Sequence, residues 1–322
     1  MHKWLARAVL LTVFIAGGMI ATAAQPPSFY NGFDVEGGLI APNQIDHGGP
    51  GRDGIPALDY PVFLEGAARD SAIQPDDRVM AVSYNGVAKA YPIEILDHHE
   101  IVNDTFALTP LTITFCPLCG TGMVFLAEAA DKVLNFGVSG LIYNSDMLLY
   151  DRNTKSLWSQ VMKKAVTGPL KGTDLVQVPA QYTTWAAWST LHPDSLLLSD
   201  DTGFERDYEA SPYAEYRRLP MVMYSTMHSD WRLTAKTWVV GITSQDQALA
   251  LPFEELDKLD KPLTVTVGDK TLEIRWDKIA SVAQAFGQDG KEYPVTASYW
   301  FAWVAFHPTT ALFPFAATHT PD

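Results

Sequence analysis

The chain has 322 residues, 47% of them apolar, with 37 Asp and Glu against 23 Lys and Arg and a net charge of −14. An acidic chain with no basic stripe is repelled by phosphate backbones and by anionic lipid, so nucleic acid is excluded as a partner. A chain of this length buries on the order of three quarters of its unfolded surface and folds without covalent staples, so two cysteines do not make a disulfide scaffold.

In chain order, residues 1–24 follow a signal-peptide plan: Lys3 and Arg7, then an uncharged run from Ala8 to Ala21, then the small-x-small pattern Ala21-Thr22-Ala23. The run is too short to span a bilayer comfortably, and no cysteine follows it to take a lipid. The expectation is cleavage after Ala23 or Ala24, a periplasmic or extracellular mature protein, and no transmembrane segment thereafter. Loss of Lys3 and Arg7 takes the net charge from −14 to −16.

Residues 25–60, with Gly48-Gly49-Pro50-Gly51, read as an irregular lead-in. From Arg78 two apolar runs flank Asn85-Gly86, the dipeptide of a type I′ hairpin, and Pro92 opens a short helix to Leu96. Leu111–Phe115 alternates as a strand and runs into Cys116-Pro117-Leu118-Cys119-Gly120, with Met123–Phe125 as the next strand. Further strand patterns lie at 134–138, 147–150, 238–242, 263–267 and 271–276. Strands outnumber amphipathic helices, so the fold class is α+β, rich in β.

Two internal matches suggest repetition. Residues 79–96 lie on 239–256 without a gap, and both end in Ala-x-Pro-x-Glu-x-Leu, at Leu96 and at Leu256. Trp185-x-x-Trp188-x-x-x-His192-Pro193 recurs as Trp300-x-x-Trp303-x-x-x-His307-Pro308. The expectation is two related lobes from a diverged duplication: residues 61–200 with the cysteines, and 201–322 without them. About 45 extra residues fall in the first copy, since the offsets are 160 and 115.

Cys116-Pro-Leu-Cys119 is the strongest chemical signal, because a Cys-x-x-Cys turn brings two sulfurs close enough for a bridge or for one metal ion. The neighbouring Asp97-His98-His99-Glu100 offers imidazole and carboxylate, and Met123 a thioether. The candidate catalytic set is Cys116, Cys119, His99 and Glu100, with His99 a possible base. The candidate metal set is Cys116, Cys119 and His99, whose soft donors suit copper or zinc. Asn103, Asp104, Ser139, Tyr143, Asn144, Ser145, Asp146 and Asp151 are candidates for a polar pocket, against the plainer alternative of turns and caps. No Gly-x-Gly-x-x-Gly, Walker, Gly-x-Ser-x-Gly or His-Glu-x-x-His motif is present, which leaves open whether the chain is an enzyme.

The linked motifs His99-Glu100-Ile-Val-Asn103-Asp104, Thr114-Phe-Cys116-Pro-Leu-Cys119-Gly-Thr-Gly122, Phe136-Gly-Val-Ser-Gly140, Tyr143-Asn-Ser-Asp146, Tyr150-Asp-Arg152 and Leu157-Trp-Ser159 resemble the prokaryotic family catalogued as domain of unknown function 3179, over roughly residues 60–310. The resemblance implies an exported, often envelope-associated protein and brings no activity with it. Two functions follow from the residues. One is thiol redox or soft-metal handling in the cell envelope, acting on an envelope protein or a small molecule; the other is a non-catalytic binding module with a structural disulfide beside the polar pocket.

Overall fold

The computed structural model describes residues 28–314, so the signal-peptide reading of residues 1–24 lies outside the described residues. Strand accounts for 40% and helix for 14%, and five sheets of four or five strands form a ring resembling a five-bladed propeller. The β-rich expectation holds. The sheets are arranged as one ring.

The first hairpin is Arg78–Tyr84 with Val87–Pro92, and Asn85 and Gly86 take φ angles of 48° and 77° at its tip, as a type I′ turn requires. It pairs with Gln181–Thr184 on one side and, in parallel, with Leu196–Leu198 on the other. Helices Ile93–His99 and Trp185–Leu191 follow the second and third of these strands. Val239–Ile242 and Leu249–Leu251 belong to a second sheet of the same order: Trp238–Ser244 pairs with Gln247–Pro252 and with Thr296–Tyr299, and Gln247–Pro252 runs parallel to Ala311–Leu312. Helices Phe253–Leu256 and Trp300–Phe306 occupy the equivalent places.

Inside each of these units lies a meander. In the first, Ile101–Phe106, Thr109–Cys116 and Thr121–Leu126 are joined by Gln177–Val178. In the second, Leu263–Val267, Lys270–Asp277, Val282–Gly287 and Glu292–Tyr293 form the corresponding sheet. The fifth sheet, Phe136–Tyr143, Asp146–Asp151, Leu157–Ser159 and Lys164–Ala165, sits within the first meander and has no counterpart in the second unit. Its outer edge is completed by Ile45–His47, so the lead-in contributes a strand and buries Phe33, Val35 and Ile40 against this sheet. That differs from a purely irregular wrap, because these apolar residues have a sheet face to cover.

Residues 199–237 cross the ring with one helix, Ala214–Arg218, and no strand. They are latched to the first unit by Arg217, whose guanidinium pairs with buried Asp97, and by Ser211, which donates to the same carboxylate at 2.5 Å. The two tryptophan helices are core elements: Trp188 donates to Ser195 Oγ at 2.7 Å and Trp303 to Thr310 Oγ1 at 2.9 Å, with His192 and His307 against the respective indoles.

Candidate functional site

Cys116 ends one strand, Thr121 begins the next, and the two residues pair across the turn that carries Cys119. Pro117 removes a donor, and Gly120 takes φ 63° with the Trp238 ring so close that a Cβ would meet it at 2.7 Å. The turn is held from outside: Tyr216 donates its hydroxyl to Leu118 O at 2.9 Å, and Tyr299 N donates to Cys119 O at 2.9 Å. Both cysteines are buried and free. Their sulfurs stand 2.6 Å apart, beyond the 2.03–2.05 Å of a disulfide, so the structural disulfide of the binding-module reading is not formed.

The third member of the group comes from the inserted sheet. Asn144 and Ser145, at φ 52° and 65°, make the tight turn between Phe136–Tyr143 and Asp146–Asp151, and the turn delivers Asp146 to the sulfurs. Asp146 Oδ1 lies 3.2 Å from Cys119 Sγ, and its other oxygen accepts from Val161 N at 3.2 Å. Donor atoms of Cys116, Cys119 and Asp146 all fall within 4.8 Å of one another, and all three residues are buried. The Ser145 hydroxyl and Gln160 Oε1 are buried without a hydrogen-bond partner among the described residues.

Burial dominates the electrostatics. It raises both thiols above their ordinary range and lifts Asp146 to about 7, although the bonds from Cys119 and Val161 pull the carboxyl back toward ionisation. Glu100 caps helix Ile93–His99 in a left-handed conformation, accepts from Tyr213 at 3.3 Å, and is lifted by burial to about 8. With Leu118, Met147, Tyr213 and Met223 it lines a cavity of about 60 Å³, room for a few water-sized groups beside the cysteine turn.

His99, expected beside the cysteines as base or ligand, lies outside the group formed by Cys116, Cys119 and Asp146. Its Nδ1 lies 2.7 Å from Pro56 O and its Nε2 2.6 Å from the Tyr208 hydroxyl. A carbonyl only accepts, so Nδ1 carries the proton and Nε2 accepts from Tyr208; both nitrogens are engaged.

The pocket candidates separate into several sites. Asp104 binds Lys89 at 2.8 Å and Tyr91 at 2.5 Å, within a strand rather than the turn that was the plainer alternative. Asn103 ties two sheets together through Asp59, Phe136 O and Phe136 N. Ser139 accepts from Leu141 N at the bulge of its strand. Asp151 caps its turn through Thr154 and receives the Trp158 indole at 3.0 Å. Tyr143 and Asn144 face residues 220–230 and helix Trp300–Phe306: Asn144 donates to Ala305 O and accepts from Met227 N. Only Ser145 and Asp146 of this set reach the cysteines, Ser145 through its carbonyl at 3.6 Å from Cys119 Sγ.

Tyr213 and Tyr216, which come from a segment without periodicity, had no sequence signal beyond their aromatic character. Asp146 did have one: a polar, turn-forming Asn-Ser-Asp between two apolar strands.

A β-rich ring with a buried thiol and carboxylate group defines the class of protein at hand. Residues 52–295 match the family described as "Protein of unknown function (DUF3179)", and the chain belongs to that family. No curated protein and no solved structure matches the chain.

Proposed function

We propose that the chain is an exported cell-envelope protein whose Cys116–Cys119–Asp146 group takes up a soft or borderline metal ion, copper or zinc. One observation carries the reading: two sulfurs and a carboxylate oxygen, supplied by two different sheets, converge within 4.8 Å in a buried position. Two thiolates and a carboxylate are donors for copper(I) or zinc and poor ones for magnesium or calcium. Burial shuts out a protein thiol or disulfide, which needs access to a sulfur, more effectively than it shuts out an ion. The localisation rests on the leader in residues 1–24.

A second reading is a dithiol–disulfide couple, and the sulfur separation favours it. At 2.6 Å the sulfurs are closer than two ligands of one tetrahedral ion at about 2.3 Å each, so ligation has to spread them, whereas a disulfide draws them slightly closer as the two thiols give up two protons to the surroundings and two electrons to a small oxidant of the envelope. Asp146 would then accept the Cys119 proton.

Equilibrium dialysis of reduced protein against zinc and against copper(I), followed by elemental analysis and thiol titration, separates the two. Metal retained by the wild type and lost in Cys116→Ser/Cys119→Ser supports the first reading. Metal-free protein that loses two thiols to a mild oxidant and regains them with reductant replaces it with the second.

The strand orders of the two units agree except for the edge strand Phe63–Leu64, which only the first has, and they further support a diverged duplication, with the fifth sheet as the extra segment of the first copy. A family of structures in which the two units differ in order would end that inference.

A further inference from the structure

The segment that crosses the ring carries chemistry the thiol group does not use. Met221, Met223 and Met227 are 55%, 49% and 53% exposed, and His228 follows. Methionines half in water contribute little to a core, while a thioether is a soft, uncharged donor.

Their placement is fixed relative to the site. Gln44 Nε2 donates to Met227 Sδ at 3.0 Å, and Met227 N donates to Asn144 Oδ1 at 2.9 Å. Asn144 belongs to the same tight turn that presents Asp146, so one hairpin grips the methionine segment on one side and reaches the sulfurs on the other. Met223, four residues earlier, lines the 60 Å³ cavity together with Met147 and Leu118. Met147 directly follows Asp146, and Leu118 stands between the two cysteines. A surface thioether and a buried one therefore border a single space beside the Cys116–Cys119 turn.

From this juxtaposition we propose that Met223 and Met147 form an entry route for copper(I) to the thiol group; the inference rests on the metal reading of that site and selects copper over zinc. In the transfer, copper leaves its incoming ligand for a thioether, and the copper–thioether bond then breaks as the two cysteine sulfurs take the ion. Two Cu–S bonds form, two thiol protons are released to water, and copper stays in the +1 state, so no electron acceptor is needed. A thioether passes on a soft monovalent ion because it binds it without charge, whereas zinc gains less from such a donor.

The test uses the full chain and copper(I) held by bicinchoninate under ascorbate and nitrogen, with loss of the coloured complex followed in time. Wild type is expected to take up copper, and Met223→Leu/Met147→Leu to reach the same final amount about tenfold more slowly, the size of one lost contact at a barrier. Zinc uptake, followed with a chromophoric indicator, is expected to keep its rate. Met223→Leu alone, which leaves the core untouched, is expected to slow copper in the same direction. Methionine variants that fill as fast as wild type, or that slow zinc equally, overturn the route while the thiol site stands. A wild type that takes no copper, with or without the methionines, overturns the site and the route together.

Discussion

The cysteine turn and its counterpart in the second unit have the same length and backbone but different environments. Cys116 pairs with Thr121, and Asp277 with Val282, with four residues between in each case. Gly120 and Ser281 hold the same place with φ 63° and 50°. In the second unit the turn is capped by its own Asp277, whose Oδ1 accepts from Ile279 N and Ala280 N, and its tip lies in water: Ile279 is 94% exposed, while Ala280 behind it is buried. In the first it is buried, and the hydroxyl of Tyr216 and the amide of Tyr299 hold it from elsewhere in the chain. Each turn also meets the start of the other unit's hairpin, Gly120 against Trp238 and Ala280 O receiving from Arg78. A turn of this length at this place therefore forms without cysteine. What the first unit adds is a second sheet, whose Asp146 meets the sulfurs, so cysteines and carboxylate arrive together.

The largest expected effect follows directly. Cys119→Ala installs the residue that the second unit has at position 280, so the chain should stay folded, at a cost of about 1–2 kcal/mol for the lost buried sulfur, and, on the proposed metal reading, retain no copper or zinc. Thermal unfolding and elemental analysis read the two halves of that statement. A variant that fails to fold would show that the two turns are not interchangeable and that the cysteine is structural.

Next in size is Gly120→Ala, expected to cost about 3 kcal/mol, because the new methyl meets the Trp238 ring in a conformation that already disfavours a side chain. Denaturant unfolding measures it. A cost under about 1 kcal/mol would mean that Trp238 yields and that the turn is not clamped from outside.

A comparable effect appears only in acid. The helix of the first unit places His99 three residues after Leu96, where the second unit has Leu259 after Leu256. Burial lowers His99 to about 4, against an ordinary value of 6.5. Below pH 6.5 the unfolded chain takes up a proton that the folded chain refuses. Stability attributable to His99 is therefore complete above pH 6.5 and falls as the pH drops toward 4, by about 3 kcal/mol over that window. His99→Gln, which can still donate to Pro56 O and accept from Tyr208, should flatten the acid limb of a stability–pH curve. An unchanged limb would move the acid sensitivity elsewhere.

Much of the ring was legible in local pattern. Asn85-Gly86, the alternation before Cys116, and the two Trp-x-x-Trp helices each follow from short-range rules, and each lies where those rules put it. The closure into five sheets was not legible, because it depends on pairings such as Gln181–Thr184 with Arg78–Tyr84 across a hundred residues. The site divides in the same way. Cys116 and Cys119 stand together by spacing, but Asp146 and the tyrosines reach them only through tertiary packing. His99 stands apart from the sulfurs because sequence proximity to a cysteine strand does not set ring direction, and Pro56 O and Tyr208 engage both its nitrogens.

The smallest effect has the opposite sign and tests the shared backbone most directly. Ser281 sits at φ 50°, where a side chain costs about 1 kcal/mol or slightly more, so Ser281→Gly removes that cost. Glycine also enlarges the freedom of the unfolded chain, which returns about 0.4–1 kcal/mol of the gain. The net expectation is a stabilisation of less than about 1 kcal/mol, against the destabilisation expected at Gly120, the same place in the other turn. If both substitutions destabilise, the conformations of the two turns differ in energy despite their equal φ, and the argument from Ala280 to Cys119 weakens with them. Opposite signs would tie both turns to one backbone and leave the sulfurs without a structural reason to be there.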